Sequence, residues 1–178
     1  MNQLKSSMIL CKRIRVSGYF IHTTLNKFRH GAGGVMFFGE IVNVVIQEEK
    51  TGCGIASVAN IIGFPYVDVK VKANSIGIFS EDKTLYSDTG YVRKLLTEYD
   101  VKTSTKELEF TSWDKLPDLA LLSIKYHEED GVPFWHWVVF KRIDGRPVVL
   151  DSAAYLNENM RFDFDVMDPK WYIEVTKT

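Results

Sequence analysis

Cys53–Ile62 reads CGIASVANII, a run of small and apolar residues that contains no proline. Gly63 follows it directly and Pro65 comes two residues later, and both residue types are common just beyond the end of a helix. The run therefore predicts a helix from Cys53 to Ile62. Because almost every position is small or apolar, we expect this helix to be buried.

A second helix is predicted further along the chain. Ser87 or Asp88 supplies a side chain that can cap its first turn. The apolar residues after the cap recur at helical spacing: Val92, Leu95, Leu96 and Tyr99. We expect this helix to run to about Tyr99. Upstream of both helices, the β-branched segment 41–46 predicts a strand or an extended lead-in.

The pattern changes to that of strands in the second half of the chain. Strands are predicted at 119–126, 134–143 and 146–150, and a closing strand at 171–176. Asp144-Gly145 separates the second and third of them and is typical of a two-residue hairpin turn. Helices come first and antiparallel strands follow, so the predicted class is α+β.

The composition is that of a globular domain with an added segment. The chain has 178 residues, of which 46% are hydrophobic and 25% charged, and these values exclude a disordered or collagen-like chain. The two cysteines, Cys11 and Cys53, are too few for a disulfide scaffold. No run of about 18 apolar residues occurs, so no membrane-spanning helix is expected.

Charge divides the chain into two unlike parts, although the net charge is only −1. Residues 1–39 hold six basic residues and no acidic one, whereas residues 40–178 hold 16 basic and 23 acidic residues. We therefore predict a basic N-terminal arm over residues 1–40, flexible or docked on the acidic body, and a folded domain over residues 41–178. The Gly-rich stretch at 31–34 is interpreted as a flexible joint between them.

Cys53 is the first residue of the predicted buried helix. The unpaired N–H groups and the positive dipole end of a helix start favour a thiolate, which is the nucleophilic form of cysteine. Gly54 is expected to leave room for a substrate backbone, and Gly52 to allow a tight turn into the helix. A free cysteine is also often a small buried hydrophobe, and that interpretation suits Cys11. The helix start favours Cys53 as the nucleophile.

A nucleophilic thiolate needs a base, and the predicted hairpin identifies one. A two-residue turn at 144–145 sets a register in which Val138 lies opposite Asp151. His136 shares the face of Val138, because side chains alternate along a strand. Diagonal neighbours lie about 7–8 Å apart, within reach of two hydrogen-bonding side chains. The sequence therefore predicts a pair in which the Asp151 carboxylate orients the His136 imidazole.

Gln47 completes the candidate set, six residues before Cys53. Its amide could donate to a developing oxyanion, together with the backbone N–H of Cys53. A glutamine in a run such as QEEK is usually a solvated loop residue, so this assignment depends on the other members. Nucleophile, base and orienter follow in the order Cys53, His136 and Asp151, which is the pattern of Cys–His–Asp nucleophilic catalysis.

Residues 47–56, QEEKTGCGIA, resemble the signature of the bacteriocin-processing, or double-glycine, cysteine peptidases of the papain-like clan. Members of that family have a Gln, a Glu two residues later and Cys-Gly-x-Ala at this spacing. Residues 136–139, HWVV, and 148–151, VVLD, are similar to the family's histidine strand and aspartate strand. The resemblance covers roughly residues 41–155.

This resemblance implies a papain-like fold, with N-terminal helices packed on an antiparallel sheet and residues 41–178 as the catalytic domain. It implies cleavage of peptide bonds, after small residues such as double glycine. The roles that it implies are Cys53 as nucleophile, His136 as base, Asp151 as orienter and Gln47 as oxyanion donor.

Other functions of the same residues stay open at this point. Gly52 and Ser152 stand where the family usually has an acid and a proline. A Cys–His–Asp triad can also deamidate glutamine or transfer acyl groups, because the thioester intermediate is shared. A degenerate domain that binds peptides without cleaving them is a third interpretation. A cysteine peptidase is the main prediction.

The expected partner is a peptide or protein substrate, and no cofactor or metal is required. Family members that clip leader peptides are usually fused to a transporter, and no transmembrane segment or P-loop occurs here. A transporter or secretion partner would therefore act in trans. Nucleic acid is not expected as a partner. Without a convincing secretory signal the cytoplasm is the default compartment, and delivery as a secreted effector stays open.

Overall fold

The structure is a computed structural model that describes residues 15–16, 19–20, 43–85 and 87–177. The chain divides into two compact units, Met1–Phe38 and Gly39–Thr178. In the first unit, β1 (Arg15–Val16) pairs antiparallel with β2 (Tyr19–Phe20). The rest of the predicted arm, with Cys11 and the joint at 31–34, lies outside the described residues. The boundary between arm and domain stays a prediction.

Helix α1 forms where the sequence predicts it, over Cys53–Ile62, and most of its side chains are buried. It ends at Gly63, whose φ of +78° lies in the left-handed region that glycine adopts without strain. The Gly63 N–H then donates to the carbonyl of Ala59 and closes the last turn. Local stop signals are therefore sufficient to define this helix.

The described part of the segment before α1 has no regular secondary structure. Residues 43–46, the described part of the predicted lead-in, are not part of any strand. The Val45 N–H donates instead to Oδ1 of Asn60 at 2.7 Å, and Nδ2 of Asn60 donates to the Val45 carbonyl at 2.9 Å. A side chain of α1 thus satisfies the backbone that a neighbouring strand would otherwise satisfy.

Helix α2, over Tyr66–Ser75, was not predicted. Its sequence, YVDVKVKANS, alternates valine with charged residues, which is a strand period rather than a helical one. Tertiary packing overrides this pattern, because Tyr66, Val69 and Ala73 share one helix face and are buried. Pro65, interpreted as part of a stop signal, precedes the first turn of α2, where proline is tolerated.

Helix α3 spans Gly90–Thr97 and ends two residues before the predicted end. Of its two candidate caps, Asp88 is the one used. The Asp88 carboxylate accepts the N–H of Gly90 at 2.8 Å and the N–H of Tyr91 at 3.1 Å. The Ser87 hydroxyl donates elsewhere, to the carbonyl of Pro133 at 2.7 Å.

The strands of the second unit form an antiparallel sheet in the order β3-β9-β5-β6-β7-β8, with β4 also paired to β9. Their bounds are β3 (Val101–Thr103), β4 (Leu108–Glu109), β5 (Leu119–Glu129), β6 (Val132–Ile143), β7 (Arg146–Leu150), β8 (Met160–Arg161) and β9 (Trp171–Lys177). The four predicted strands are present as β5, β6, β7 and β9. The α+β class is therefore confirmed.

The hairpin between β6 and β7 has the predicted register. Asp144 and Gly145 form its turn with φ values of +50° and +74°, the positive values that a two-residue hairpin requires. The ladder continues to the pair Val139–Leu150. This register brings the residues that follow Leu150 close to the first half of β6.

The sheet separates two apolar clusters. The larger one joins the three helices to the sheet and includes Ile55 of α1 and Trp137 of β6. The smaller one includes Phe140 and Met167. No helix in the described ranges is long and apolar enough to cross a membrane. Because the larger cluster packs the helices against the sheet, the start of α1 lies beside β6.

Candidate active site

Cys53 lies in the wall of a cleft at the junction of α1 and β6. The cleft has a volume of about 350 Å³, and Cys53 and His136 both line it. Apolar side chains form much of its wall: Ile78, Leu85, Phe134 and Trp135. In the described part of the chain, no group of three or more His, Cys, Asp or Glu side chains could hold a metal ion.

The glycines on either side of Cys53 serve packing, which corrects both expectations for them. A Cβ on Gly54 would lie 2.6 Å from Cζ of Tyr91, so the ring of Tyr91 fills the space that was expected to take a substrate backbone. Gly52 has φ −79° and ψ 5°, which any residue can adopt, so the turn does not require glycine. Its missing side chain makes room for the hydroxyl of Tyr66.

Gly54→Ala is expected to destabilise the fold and reshape the cleft. The new methyl group would overlap the Tyr91 ring, which is buried and cannot move without displacing its neighbours. Overpacking of this kind costs about 1–3 kcal/mol in the free energy of unfolding. Chemical denaturation would measure the loss. Gly90→Ala is the matched control, because its Cβ would meet the end of the Asp88 side chain at 3.2 Å. Equal stability of the two variants would contradict the packing role of Gly54.

The loop before Cys53 is held to α2 by Glu49. The Glu49 carboxylate accepts hydrogen bonds from the Tyr66 hydroxyl and the Lys70 ammonium group. Partial burial opposes ionisation, but the bonds to Lys70 and Tyr66 outweigh it and lower the pKa of Glu49. Thr51 adds a second anchor by donating to the carbonyl of Ser80 at 2.5 Å. The loop is therefore anchored at Glu49 and at Thr51, and these two anchors fix the position of Cys53.

His136 and Asp151 form the hydrogen-bonded pair that the register predicts. Nε2 of His136 lies 2.7 Å from Oδ1 of Asp151. Asp151 follows the last residue of β7, and its side chain is fully buried. The same Oδ1 accepts the backbone N–H of Ala153 at 3.1 Å. Because Nε2 is engaged by Asp151, Nδ1 is the ring nitrogen left for Cys53.

Electrostatic coupling joins His136 to Cys53 as well. Burial by itself lowers the pKa of His136, but hydrogen bonds with Asp151 and Cys53 outweigh it and raise the pKa to about 9. Burial by itself would raise the pKa of Asp151, yet the hydrogen bonds from His136, Ala153 and Arg161 lower it. An imidazolium between a carboxylate and a thiol is therefore favoured at neutral pH.

Two residues that the sequence did not indicate surround Asp151. Nη1 of Arg161 donates to Oδ2 of Asp151 at 3.0 Å. Nδ2 of Asn159 donates to the backbone carbonyl of Asp151 at 2.6 Å. Both residues lie at or next to β8, a strand of two residues whose pairing with β7 depends on the tertiary fold. No local motif could have predicted these contacts.

Gln47 lies beside this site, but its amide is engaged by the backbone. Nε2 donates to the carbonyls of Glu49 at 3.0 Å and Lys50 at 2.9 Å. Oε1 accepts the Ser152 hydroxyl at 3.0 Å, and the Gln47 N–H donates to the Ser152 carbonyl at 2.9 Å. Gln47 therefore links the loop before Cys53 to the segment after Asp151. Donation to an oxyanion would require one amide hydrogen to exchange its partner.

Among known proteins, similarity is found to a solved structure but not to a family model or a curated sequence. No family model matches the chain, and no curated protein sequence matches it. The chain is similar to the crystal structure of a double glycine motif protease from an AMS/PCAT transporter in complex with the leader peptide. The two share 18% sequence identity, the match covers 79% of this chain and 94% of that chain, and the TM-score is 0.48.

Proposed function

We propose that the chain is a cysteine peptidase that cleaves peptide bonds through an acyl-enzyme on Cys53. The observation that carries the proposal is that Cys53 and His136 line one apolar cleft while Asp151 lies behind His136 at 2.7 Å. The pKa of His136 responds to both Cys53 and Asp151. A nucleophile, a base and an orienting carboxylate in this order are the parts that acyl transfer requires.

In the first half of the proposed reaction, the Sγ thiolate of Cys53 attacks the carbonyl carbon of the scissile peptide bond. A tetrahedral intermediate forms, and its negative charge falls on the former carbonyl oxygen. When the C–N bond breaks, the His136 imidazolium gives its Nδ1 proton to the leaving amine. A thioester between Cys53 and the acyl part of the substrate remains.

In the second half, water attacks the thioester carbonyl while neutral His136 takes its proton. The C–S bond then breaks, a carboxylic acid leaves, and the proton returns the thiolate–imidazolium pair to its starting state. In both halves Asp151 holds the ring with Nδ1 toward Cys53 and stabilises the imidazolium. Over both halves one water molecule is consumed. Its OH group ends on the acyl product, and its proton replaces the one that His136 gave to the leaving amine.

The proposed oxyanion donors are the backbone N–H of Cys53 and the amide of Gln47. The N–H groups in the first turn of a helix have no acceptor within that helix, so the N–H of Cys53, the first residue of α1, can donate to a bound substrate. Gln47 would contribute by transferring one amide hydrogen from the loop carbonyls to the oxyanion.

The proposed substrate is a peptide with small residues before the cleaved bond. The resemblance of residues 47–56 and 136–139 to the double-glycine peptidases supports this choice, and the apolar wall of the cleft suits apolar side chains further along the peptide. A transporter or secretion partner acting in trans belongs to the same proposal.

Incubation with a Gly-Gly peptide and a matched Leu-Leu peptide tests the function. Mass spectrometry would identify new termini, and separate assays would measure ammonia release and transfer to an added amine. We expect cleavage after the second glycine, without ammonia, and loss of cleavage when iodoacetamide alkylates Cys53. Ammonia release without chain cleavage would indicate a deamidase. Stable peptide binding without any turnover would indicate a peptide-binding domain.

A further inference from the structure

Arg161 contacts the candidate triad from the side of Asp151 that His136 does not occupy. Nη1 of Arg161 donates to Oδ2 of Asp151 at 3.0 Å, while Oδ1 faces His136 at 2.7 Å. The side chains of Arg161 and Asp151 are 13% and 0% exposed. The two carboxylate oxygens therefore have different partners, and the arginine occupies the one turned away from the imidazole.

The guanidinium group is itself held in one orientation. Nε and Nη2 of Arg161 donate to the two carboxylate oxygens of Asp163, at 3.0 and 2.7 Å. The planar fork of arginine makes such a two-point contact directional. Nη1 is the nitrogen left over, and the fork aims it at Asp151. Asp163 thus fixes the direction in which Arg161 approaches the carboxylate.

The backbone beside Asp151 is fixed by the same segment of chain. Arg161 pairs with Val149 in the ladder between β7 and β8. Asn159 donates through Nδ2 to the carbonyls of Asp151 and Ala153, and the Asp151 N–H donates to the Asn159 carbonyl at 2.9 Å. Residues 159–161 therefore hold both the backbone and the carboxylate of Asp151.

A buried carboxylate needs such support to stay charged. Removal from water favours the protonated acid, and a protonated Asp151 could not stabilise an imidazolium at His136. The charged groups that contact Asp151 are His136 from β6 and Arg161 from β8, with Asp163 behind the arginine. Without Arg161, Oδ2 would lose a charged donor inside the protein.

We infer that Arg161 is a positioning residue of this site, which keeps the Asp151 carboxylate ionised and turned so that Oδ1 meets His136. The inference deepens the proposed function and rests on it. Arg161 acts through Asp151 and His136 and does not touch the substrate. The series of interacting residues at this site then extends from Cys53 through His136 and Asp151 to Arg161 and Asp163.

The test compares Arg161→Gln and Arg161→Lys with the control Arg93→Gln. Arg93 is 17% exposed and is paired with Glu107 at 2.8 Å, so its loss removes a similar ion pair outside the site. Peptide hydrolysis would give kcat and KM. A ¹³C NMR titration would follow the Asp151 carboxyl group, assigned from its absence in Asp151→Asn. Thermal unfolding would report the stability of each variant.

For Arg161→Gln we expect kcat to fall about tenfold or more with KM within about twofold, since a displaced Asp151 misaligns the base without touching the substrate. The titration midpoint of Asp151 should rise by about one pH unit or more. Arg161→Lys should have a kcat and an Asp151 titration midpoint between those of the wild type and Arg161→Gln. Lysine keeps the positive charge but lacks the planar, forked guanidinium group. Arg93→Gln should leave both values at those of the wild type.

Wild-type kcat and an unchanged Asp151 titration in Arg161→Gln would overturn the inference, as would equal changes in Arg93→Gln. If Arg161→Gln does not fold, Arg161→Lys decides by the same two measurements. The titration needs no substrate. Failure of the wild type to cleave any peptide would therefore count against the proposed function, while the Asp151 titration would still test Arg161.

Discussion

Cys53→Ala is expected to reduce peptide hydrolysis to the uncatalysed background, a loss of about 10⁴-fold or more. Without Sγ no acyl-enzyme can form, and the imidazole of His136 has no thiol to activate. The fold should change little, because Cys53 lies at the cleft surface and alanine is a good helix former at the start of α1. Initial rates on the Gly-Gly peptide, with circular dichroism of both proteins, would measure the effect.

Cys11→Ala is the matched control for this substitution, since it removes the other cysteine of the chain. We expect it to keep the wild-type rate and to leave the iodoacetamide adduct on Cys53. Hydrolysis by Cys53→Ala at more than a few per cent of the wild-type rate would exclude the proposed nucleophile. A loss of activity in Cys11→Ala instead would move the reactive thiol into the first unit.

The parts of the fold that could be predicted are those with local signals. Helix α1 has its small and apolar composition and the stop signal at Gly63, and its observed bounds are those predicted. The hairpin has Asp144-Gly145, and its turn sets the register of β6 and β7. That register is sufficient to bring His136 to Asp151, so a pair separated by 15 residues follows from a local signal.

The parts that could not be predicted depend on which elements pack together. Helix α2 has a strand-like alternation and becomes a helix because its buried face meets α1 and the core. The ring of Tyr91 reaches Gly54 only once α3 packs beside α1. Arg161 reaches Asp151 because a two-residue strand docks on β7. In each case the deciding contact depends on which elements pack together, and no turn or helix signal in the sequence specifies that packing.

The Gln47 contacts show the same limit at the level of one side chain. The spacing to Cys53 predicts that the amide lies near the nucleophile, but its partners are loop carbonyls whose directions depend on backbone conformation. Ser152, a departure from the family pattern, donates to Oε1 of Gln47, a contact that a proline could not make. The departure therefore has a structural role in this chain.

Asp151→Asn is expected to lower kcat by roughly a thousandfold, although asparagine has the same shape as aspartate. The introduced amide would keep an acceptor oxygen for Arg161 and turn its N–H toward His136. Nε2 of His136 would then accept a hydrogen bond and the ring proton would sit on Nδ1, the nitrogen that faces Cys53. A ring with that proton cannot take one from the thiol, so the base would be in the wrong tautomer. Initial rates on the Gly-Gly peptide would measure the loss.

The pH profile of the same variant separates this effect from simple loss of structure. In the wild type the pKa of His136 is raised from its ordinary 6.5 to about 9. The stability that this group contributes is therefore complete below pH 6.5 and is lost as the pH rises through about 9. Activity that depends on the imidazolium should fall in the same range. This fall in activity at high pH is the alkaline limb of the pH–activity profile. Removal of the Asp151 charge should move the midpoint of the alkaline limb below pH 9, toward 6.5.

Asp118→Asn is the matched control, because Asp118 is 90% exposed and its partner Arg142 is 3.5 Å away. We expect it to keep both the wild-type kcat and the alkaline limb. An Asp151→Asn variant with a reduced kcat but an unchanged limb would mean that His136 owes its raised pKa to Cys53 alone. In that case the carboxylate would only hold the ring in place, and the electrostatic part of the proposed mechanism would be wrong.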